Sequence, residues 1–290
     1  MVLVTEIEKI ENFEFVRPMR AIFSGSSQSG KTFLMGKMLE NQRRLFGGEF
    51  KQVLYYYPEY LSECPVSWHE NISSPILYQP GFPNKQDILE MEEGSLLIID
   101  DNMKKVVESE IMRQFFNVIS GKRNLSIIVV TQNYFTQGKF SRDVRNSCNM
   151  VCLFRNCADA TLNIRVARAF KLEKAYVAAE AEIFRNRVYP YIFIDQSQRS
   201  QLSGYRVYTD ILSKIKRVFS VDGMKGYILS ETTFKKVFKV IEEKSRSVRA
   251  VAHADSSESL HEGTGSGSRK IRDKTRRRKT RESNSFKKFN

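Results

Sequence analysis

The chain has 290 residues, 41% of them hydrophobic, which is enough to bury the core of one large domain or two small ones. Four cysteines are too few for a disulfide scaffold, the three histidines lie far from any cysteine pair, and no apolar run approaches the roughly 20 residues of a membrane helix. These counts argue against disulfide-rich secreted proteins, zinc fingers and membrane-spanning proteins. Because the N-terminus also lacks signal-peptide organisation, we expect a soluble intracellular protein with reduced cysteines.

Short apolar runs alternate with helical patterns along the chain from Arg20 onward. Strands are predicted at Arg20–Ser24, Gln52–Tyr57, Ser95–Asp100, Leu125–Thr131, Cys148–Phe154 and Tyr189–Asp195. Helices are predicted at Thr32–Arg44, Val107–Ser120, Asp159–Phe170 and Glu173–Ile183. Continuously apolar strands that alternate with helices indicate an α/β fold, with a mostly parallel central sheet flanked by helices on both faces.

The composition changes near residue 244, so we expect a folded domain over residues 1–244 and a disordered basic tail over residues 245–290. The tail holds 13 Lys and Arg against 5 Asp and Glu, whereas the rest of the chain holds 34 against 28. More than half of the net charge of +14 therefore lies in the tail, and such a balance favours polyanion partners through counterion release. The run Arg269–Arg281 is a candidate nuclear localisation signal or nonspecific DNA tether, with a solubilising end as an equal alternative.

The strongest motif is a glycine-rich loop that fits the pattern GxxxxGK[ST] between a predicted strand and a predicted helix. Its glycines let the backbone wrap around phosphates where a Cβ would clash, and its N–H groups would point at the β-phosphate. Lys31 would reach the β- and γ-phosphate oxygens, and the Thr32 hydroxyl would ligate Mg²⁺. The residues predicted to bind ATP are Gly25, Ser26, Ser27, Gln28, Ser29, Gly30, Lys31 and Thr32.

A second motif is the acidic pair Asp100-Asp101, which follows the apolar run Leu96–Ile99. In an open α/β sheet, a carboxylate at this point emerges at the edge where ligands bind. Asp100 is predicted to hold Mg²⁺ through water, and Asp101 to orient or deprotonate the attacking water. The alternative is a strand that ends in a solvated Asp-Asp turn.

Three further polar candidates follow the strand predicted at Leu125–Thr131. Gln132, at its end, is a candidate to contact the γ-phosphate or its water, although strand-end turn chemistry is an equal alternative. Arg142 and Arg145 are candidates for an arginine finger that acts on a neighbouring subunit, and the alternative is solvation or pairing with Asp143. The tyrosines of the predicted strand Gln52–Tyr57 could stack on bases, but core packing is favoured.

Four segments, taken together and in chain order, resemble the viral genome-packaging ATPases of the FtsK/HerA superfamily. They are GSSQSGKT, LLIIDDNM, SGKRNLSIIVVTQNYF and GKFSRDVRNSCNMVCLFRN. Within that family the resemblance is to the proteins of polinton elements, adintoviruses and large eukaryotic DNA viruses, and it covers about residues 15–195. It implies a P-loop NTPase fold and a ring of subunits that pumps double-stranded DNA into a preformed capsid. Relatives often carry histidines where this chain has Gly121-Lys122.

The resemblance also assigns roles to residues of this chain. It implies that Lys31 and Thr32 bind phosphate and Mg²⁺ and that Asp100 and Asp101 are the Walker B acids. It further implies that Gln132 is the strand-end glutamine of the superfamily. In such proteins an arginine precedes the next strand, which favours Arg142 over Arg145 as the finger.

We therefore expect an ATP-driven double-stranded DNA translocase that packages a viral or virus-like genome. Its partners would be DNA, further copies of itself in a homo-oligomeric ring and a capsid component, with no membrane. It would act in the host cell, in the nucleus or at a cytoplasmic assembly site. Lys122, Arg123 and Lys139, near the candidate sensor strand, are candidate DNA-facing residues. The alternatives are a helicase or replication ATPase of a virus or mobile element, and a nucleotide-binding structural module.

Overall fold

The computed structural model describes residues 4–5, 14–61, 63–64, 66, 68, 71–156, 159, 161–184, 187–198, 206–213, 216–219 and 226–229. The chain divides into two units, Met1–Phe238 and Lys239–Asn290, and every described residue belongs to the first. The predicted basic tail over residues 245–290 lies outside the described residues. Both the tail and its boundary at residue 244 therefore stay predictions.

Eleven strands of the described chain form one sheet, in the order β1-β11-β10-β9-β8-β7-β2-β6-β5-β3-β4. Their bounds are β1 Val4–Thr5, β2 Arg20–Ser24, β3 Val53–Tyr57, β4 Ile76–Pro80, β5 Leu96–Asp100, β6 Ser126–Thr131, β7 Met150–Phe154, β8 Tyr191–Asp195, β9 Val207–Thr209, β10 Lys216–Phe219 and β11 Gly226–Leu229. Six strands run parallel to one another, in the order β7, β2, β6, β5, β3 and β4. From β7 to β11 each strand is antiparallel to its neighbour, and β1 pairs with β11 in parallel.

Helices cover both faces of the sheet, which confirms the predicted α/β class. Their bounds are α1 Lys31–Glu40, α2 Gln42–Phe46, α3 Lys85–Glu90, α4 Met103–Glu108, α5 Glu110–Gln114, a π-helical turn Phe115–Ile119, α6 Ser120–Lys122, α7 Ser141–Ser147, α8 Leu162–Ala169 and α9 Glu173–Ile183. No helix in the part of the chain that the structure describes is both long and apolar enough to cross a membrane.

The central strands are apolar throughout because each of their two faces packs against a separate core. Leu97 and Ile99 of β5 join one cluster, with side chains from α3, α4, α5, α8 and α9. Leu96 and Ile98 join the other cluster, with side chains from α1 and α2. The alternation follows from the two-residue period of a strand. Cys152 of β7 lies fully buried in the second core, as expected for a small apolar residue.

Two predicted helices are interrupted in the structure. The helix predicted at Thr32–Arg44 is α1 followed by α2, because Asn41 leaves helical geometry (φ −108°, ψ 23°) and its side-chain amide donates to the Lys37 carbonyl, at 2.9 Å. The helical pattern over Val107–Ser120 breaks at Ser109, which is extended (φ −84°, ψ 122°). Its hydroxyl accepts a hydrogen bond from the Met112 amide, as an N-cap side chain does.

Arg123 connects α6 to α3 and does not extend freely into solvent. Its guanidinium donates to the carbonyl oxygens of Ile88 and Leu89, at 3.1 and 3.0 Å, and to that of Met91. Carbonyls at a helix C-terminus lack partners within the helix, so these bonds stabilise the end of α3. Arg123 therefore has partners within its own chain, whereas Lys122 and Lys139 are exposed. Contact of these three residues with DNA stays a prediction.

Candidate nucleotide-binding site

The strand order brings three sequence motifs to one edge of the sheet. The glycine-rich loop follows β2, Asp100 ends β5, and Gln132 follows β6. Because β6 pairs in parallel with β2 on one side and with β5 on the other, the carboxyl ends of all three strands lie side by side. The strand before Gln132 therefore lies next to the strand that ends in Asp100.

The loop between β2 and α1 takes a conformation that depends on left-handed residues. Gln28 and Gly30 have φ of 58° and 93°, and the Ser29 amide donates to the Ser26 carbonyl, at 3.3 Å. A Cβ added to Gly25 would lie 2.5 Å from Cβ of Phe154 on the neighbouring strand, so only glycine fits there. The ten-residue helix α1 begins directly after the loop and has no side-chain cap. Its first amides are therefore free for an anion.

Lys31, the first residue of α1, folds back over the loop. Its ammonium donates to the carbonyl oxygens of Gly25 and Ser26, at 2.8 and 2.6 Å. Burial lowers the pKa of Lys31, and the nearby carboxylates of Asp100 and Asp101 act in the opposite direction. The loop thus wraps around the Lys31 ammonium. This ammonium lies near the carboxylates of Asp100 and Asp101 but forms no ion pair with either.

Asp100 is held by a tyrosine from the neighbouring strand β3. The Tyr55 hydroxyl donates to Oδ2 of Asp100, at 2.6 Å. Burial raises the pKa of Asp100, and the hydrogen bond from Tyr55 partly offsets that rise. Burial and the Asp100 charge also raise the pKa of Tyr55, so the hydroxyl stays protonated and keeps donating. The bond fixes the carboxylate and leaves Oδ1 outside this interaction.

The sequence predicts that Tyr55 packs in the core, and in the structure it does so while also donating a hydrogen bond to Asp100. Its ring packs edge-on against Trp68 and Tyr78, with centroid distances of 5.2 and 5.7 Å. Only the parallel register of β3 with β5, in which Tyr55 pairs with Ile98, explains why its hydroxyl reaches Asp100. An apolar pattern does not fix that register, so the sequence carried no direct signal for this contact.

Asp101 and Gln132 meet where β5 and β6 end. Asp101 has a left-handed backbone (φ 50°) and its amide donates to the Val130 carbonyl, at 3.0 Å. This turn exposes its carboxylate, and the Gln132 side-chain amide lies 3.5 Å from Oδ2 of Asp101, a long hydrogen bond. The two side chains predicted to handle the attacking water thus lie together, exposed to solvent at the edge of the sheet.

The available donors suit Mg²⁺ bound partly by phosphate. Thr32 offers a hydroxyl and Asp100 a carboxylate, both hard oxygen donors of the kind Mg²⁺ prefers. No group of three His, Cys, Asp or Glu residues within the described chain could hold a metal on its own. A site of this kind is typical of Mg²⁺ that takes one carboxylate and several ligands from a nucleotide.

The two arginine candidates differ in their surroundings. Arg142 is exposed on α7 and makes no hydrogen bond or ion pair with any residue that the structure describes. Arg145 is half-buried, donates to the Thr136 carbonyl at 3.4 Å and lies over the Phe135 ring at 5.8 Å. Asp143 is exposed and forms no ion pair with either arginine in the described chain. Of the two, Arg142 is the one free to reach another molecule.

The bond between Tyr55 and Asp100 can be tested by removing one oxygen atom. We expect Tyr55→Phe to lower kcat for ATP hydrolysis about tenfold and to raise the Mg²⁺ concentration needed for half-maximal rate. The reason is that a hydrogen bond to a charged group contributes about 1.5–3 kcal/mol, which here orients the carboxylate. Steady-state turnover at varied Mg²⁺ measures both quantities.

Tyr56→Phe is the matched control, because the Tyr56 hydroxyl also donates to a carboxylate, that of Asp87 at 2.8 Å, whereas its ring lies in the core on the other face of the sheet. It should lower the melting temperature as Tyr55→Phe does while leaving kcat and the Mg²⁺ dependence unchanged. Equal losses of kcat in the two variants would show that Tyr55 acts only through stability.

Comparisons with known proteins give likenesses among solved structures only, because no protein-family model and no curated protein matches the chain. The genome packaging NTPase B204 from Sulfolobus turreted icosahedral virus 2, in complex with AMPPCP, is 11% identical, with 67% of this chain and 95% of that chain covered and a TM-score of 0.43. The DNA-packaging ATPase B204 from Sulfolobus Turreted Icosahedral Virus is 11% identical, with 62% and 93% covered and a TM-score of 0.42. The flagellar accessory protein FlaH from Methanocaldococcus jannaschii is 16% identical, with 48% and 72% covered and a TM-score of 0.34. Because these TM-scores lie below 0.5, the fold assignment rests on the strand order and loop geometry described above.

Proposed function

We propose that this chain is an ATPase that translocates double-stranded DNA and packages a viral or virus-like genome. The observation that supports ATP hydrolysis is the meeting of the loop around Lys31, the tyrosine-held Asp100 and the pair of Asp101 with Gln132 at one edge of the sheet. A structural nucleotide-binding module needs the loop alone. Such a module does not require an acid and an amide, here Asp101 and Gln132, next to the expected position of the γ-phosphate.

The residues divide the chemistry among them. Lys31 exchanges the carbonyls of Gly25 and Ser26 for phosphate oxygens, which places a positive charge where negative charge develops in the transition state. Thr32 and Asp100 would hold Mg²⁺, which would neutralise charge on the phosphates. Asp101 accepts a proton from the attacking water, and Gln132 orients that water by hydrogen bonding.

The coupling to DNA rests on charge and on the order of motifs. Outside the tail the chain still carries more basic than acidic residues, 34 against 28. A motor that tracks the DNA backbone binds phosphates without reading sequence, so its affinity falls with salt. The proposal also includes a narrower claim, that the chain belongs to the FtsK/HerA packaging ATPases. Within them it would belong to the group of polinton elements, adintoviruses and large DNA viruses. A capsid partner and action inside the host cell belong to it as well.

ATP hydrolysis with and without long blunt duplex DNA tests this function. We expect strong stimulation by the duplex, weakened by added salt, and at least a 100-fold loss of turnover in Lys31→Ala and in Asp101→Asn. Lys31→Ala removes the charge that would bind phosphate, and Asp101→Asn removes the carboxylate that would position the water. Each group is expected to act mainly in the transition state. Lys51→Ala is the control, since Lys51 is exposed just before β3 begins, at the opposite edge of the sheet.

Other outcomes of the same assay would contradict the proposal in different ways. Turnover that responds only to tailed or forked DNA would indicate a helicase. Turnover that ignores DNA would indicate an ATPase with another partner. Nucleotide binding without turnover under every condition would indicate a structural module.

Action of Arg142 on a neighbouring subunit predicts complementation between two inactive variants. Arg142→Ala alone should lose about 10³-fold in turnover, as expected for a missing arginine finger. Mixed with Lys31→Ala subunits, which cannot bind phosphate but keep Arg142, it should regain measurable turnover. ATP hydrolysis, measured over a range of mixing ratios of the two variants, tests this prediction.

Arg145→Ala is the matched variant for this experiment, because Arg145 is bound to Thr136 within its own chain. It should keep turnover within a few-fold of the unmodified protein. If the two inactive variants stay inactive at every mixing ratio, Arg142 does not act between subunits.

A further inference from the structure

Two large aromatic side chains lie exposed beside the phosphate loop. Phe33 and Tyr189 are 58% and 50% exposed, and their ring centroids are 6.0 Å apart with an interplanar angle of 38°. Phe33 directly follows Thr32 in the first turn of α1, and Tyr189 lies two residues before β8 begins. Leaving this much apolar surface in water is unfavourable, so the pair is suited to being covered by a flat apolar group.

Tyr189 is fixed against the loop by packing. A Cβ added to Gly30 would lie 2.9 Å from Cβ and Cγ of Tyr189, so the tyrosine touches the loop backbone with no room between them. Gly30 is also the left-handed residue that caps α1. The aromatic pair is therefore built onto the same turn that would cradle the phosphates.

The sheet order places the aromatic pair and the catalytic candidates on opposite sides of the loop. Asp101 and Gln132 follow β5 and β6, on one side of β2. Tyr189 precedes β8, which lies beyond β7 on the other side of β2. Because β8 is antiparallel to β7, with Tyr191 paired to Phe154, the start of β8 lies at the same edge as the carboxyl ends of the parallel strands.

A nucleoside triphosphate is a linear molecule whose γ-phosphate and base are at opposite ends. If the γ-phosphate lies toward Asp101 and Gln132 and the β-phosphate lies in the loop, the base leaves the loop on the side of β7 and β8. Tyr189 precedes β8 on that side and Phe33 packs against it, so the base would leave the loop beside this aromatic pair.

We infer that Phe33 and Tyr189 form a platform on which the nucleotide's base stacks. This inference rests on the proposed nucleotide binding and adds the base-binding part of the site. Every nucleobase has a π-face, so stacking on this pair accepts different bases with similar affinity. The Lys37 ammonium, which is ion-paired with Glu40 at 2.7 Å, lies 6.0 Å from the centre of the Phe33 ring.

Binding of ATP and of inorganic tripolyphosphate to the full chain, measured by calorimetry with Mg²⁺, separates the base from the phosphates. The unmodified protein should bind ATP more tightly than tripolyphosphate and should bind GTP within a few-fold of ATP. Phe33→Ala and Tyr189→Ala should each weaken ATP binding about tenfold and leave tripolyphosphate binding unchanged. Unchanged tripolyphosphate affinity also shows that the loop in each variant is intact.

Val188→Ala is the matched control, since Val188 is 86% exposed and directly precedes Tyr189. It should leave both affinities unchanged. Tyr189→Phe keeps the ring and should keep ATP affinity.

Three results would overturn the platform. Unchanged ATP affinity in both alanine variants would show that the base binds elsewhere, and the proposed ATP binding would still stand. Equal losses of ATP and tripolyphosphate affinity would mean that the pair only supports the loop. Failure of the unmodified protein to bind either compound would refute the proposed function itself, and the platform with it.

Discussion

The hydrogen bonds from the Lys31 ammonium to the carbonyls of Gly25 and Ser26 are the interaction on which the rest of the site depends. They hold the loop in a closed turn that glycine alone permits, since Gly25 lies against Phe154 and Gly30 against Tyr189. They also keep a cation close to two carboxylates without an ion pair that a phosphate would have to break. In the proposed function, phosphate binding would exchange these two neutral acceptors for charged ones, and hydrogen bonds between charged groups are stronger.

The position of β6 between β2 and β5 brings the loop to the same sheet edge as Asp100, Asp101 and Gln132. Strand order places the water-handling pair of Asp101 and Gln132 on one side of the loop and the aromatic pair on the other. In the proposed site, the attacking water, the phosphates and the base would follow one another in this order along the sheet edge. Tyr55 adds rigidity from β3, one strand further out, by fixing the carboxylate that would meet the metal.

Local patterns were sufficient for the features that depend on neighbouring residues in the chain. The glycine-rich loop, six apolar strands and the acidic pair at Asp100 are visible in the sequence, and those six strands agree with the observed ones to within two residues. The strands β1, β4, β9, β10 and β11 were not predicted. The contact of Tyr55 with Asp100 and the binding of Arg123 to the end of α3 depend on strand register and on packing between distant segments. The direction of β8 depends on the path of the preceding chain, and apolar composition does not encode it. The sequence does not predict the contact of Phe33 with Tyr189, because nothing in it places Tyr189 beside the loop.

A crystal structure of the chain with Mn²⁺ and a non-hydrolysable ATP analogue tests the central claim most directly, since anomalous scattering locates the ion. We predict one Mn²⁺ peak between the Thr32 hydroxyl and the Asp100 carboxylate, with the Lys31 ammonium on phosphate oxygens instead of on the carbonyls of Gly25 and Ser26. The γ-phosphate should lie on the Gln132 side of the loop. An ion distant from both Thr32 and Asp100, or an analogue bound while Lys31 keeps its two carbonyl partners, would contradict the claim.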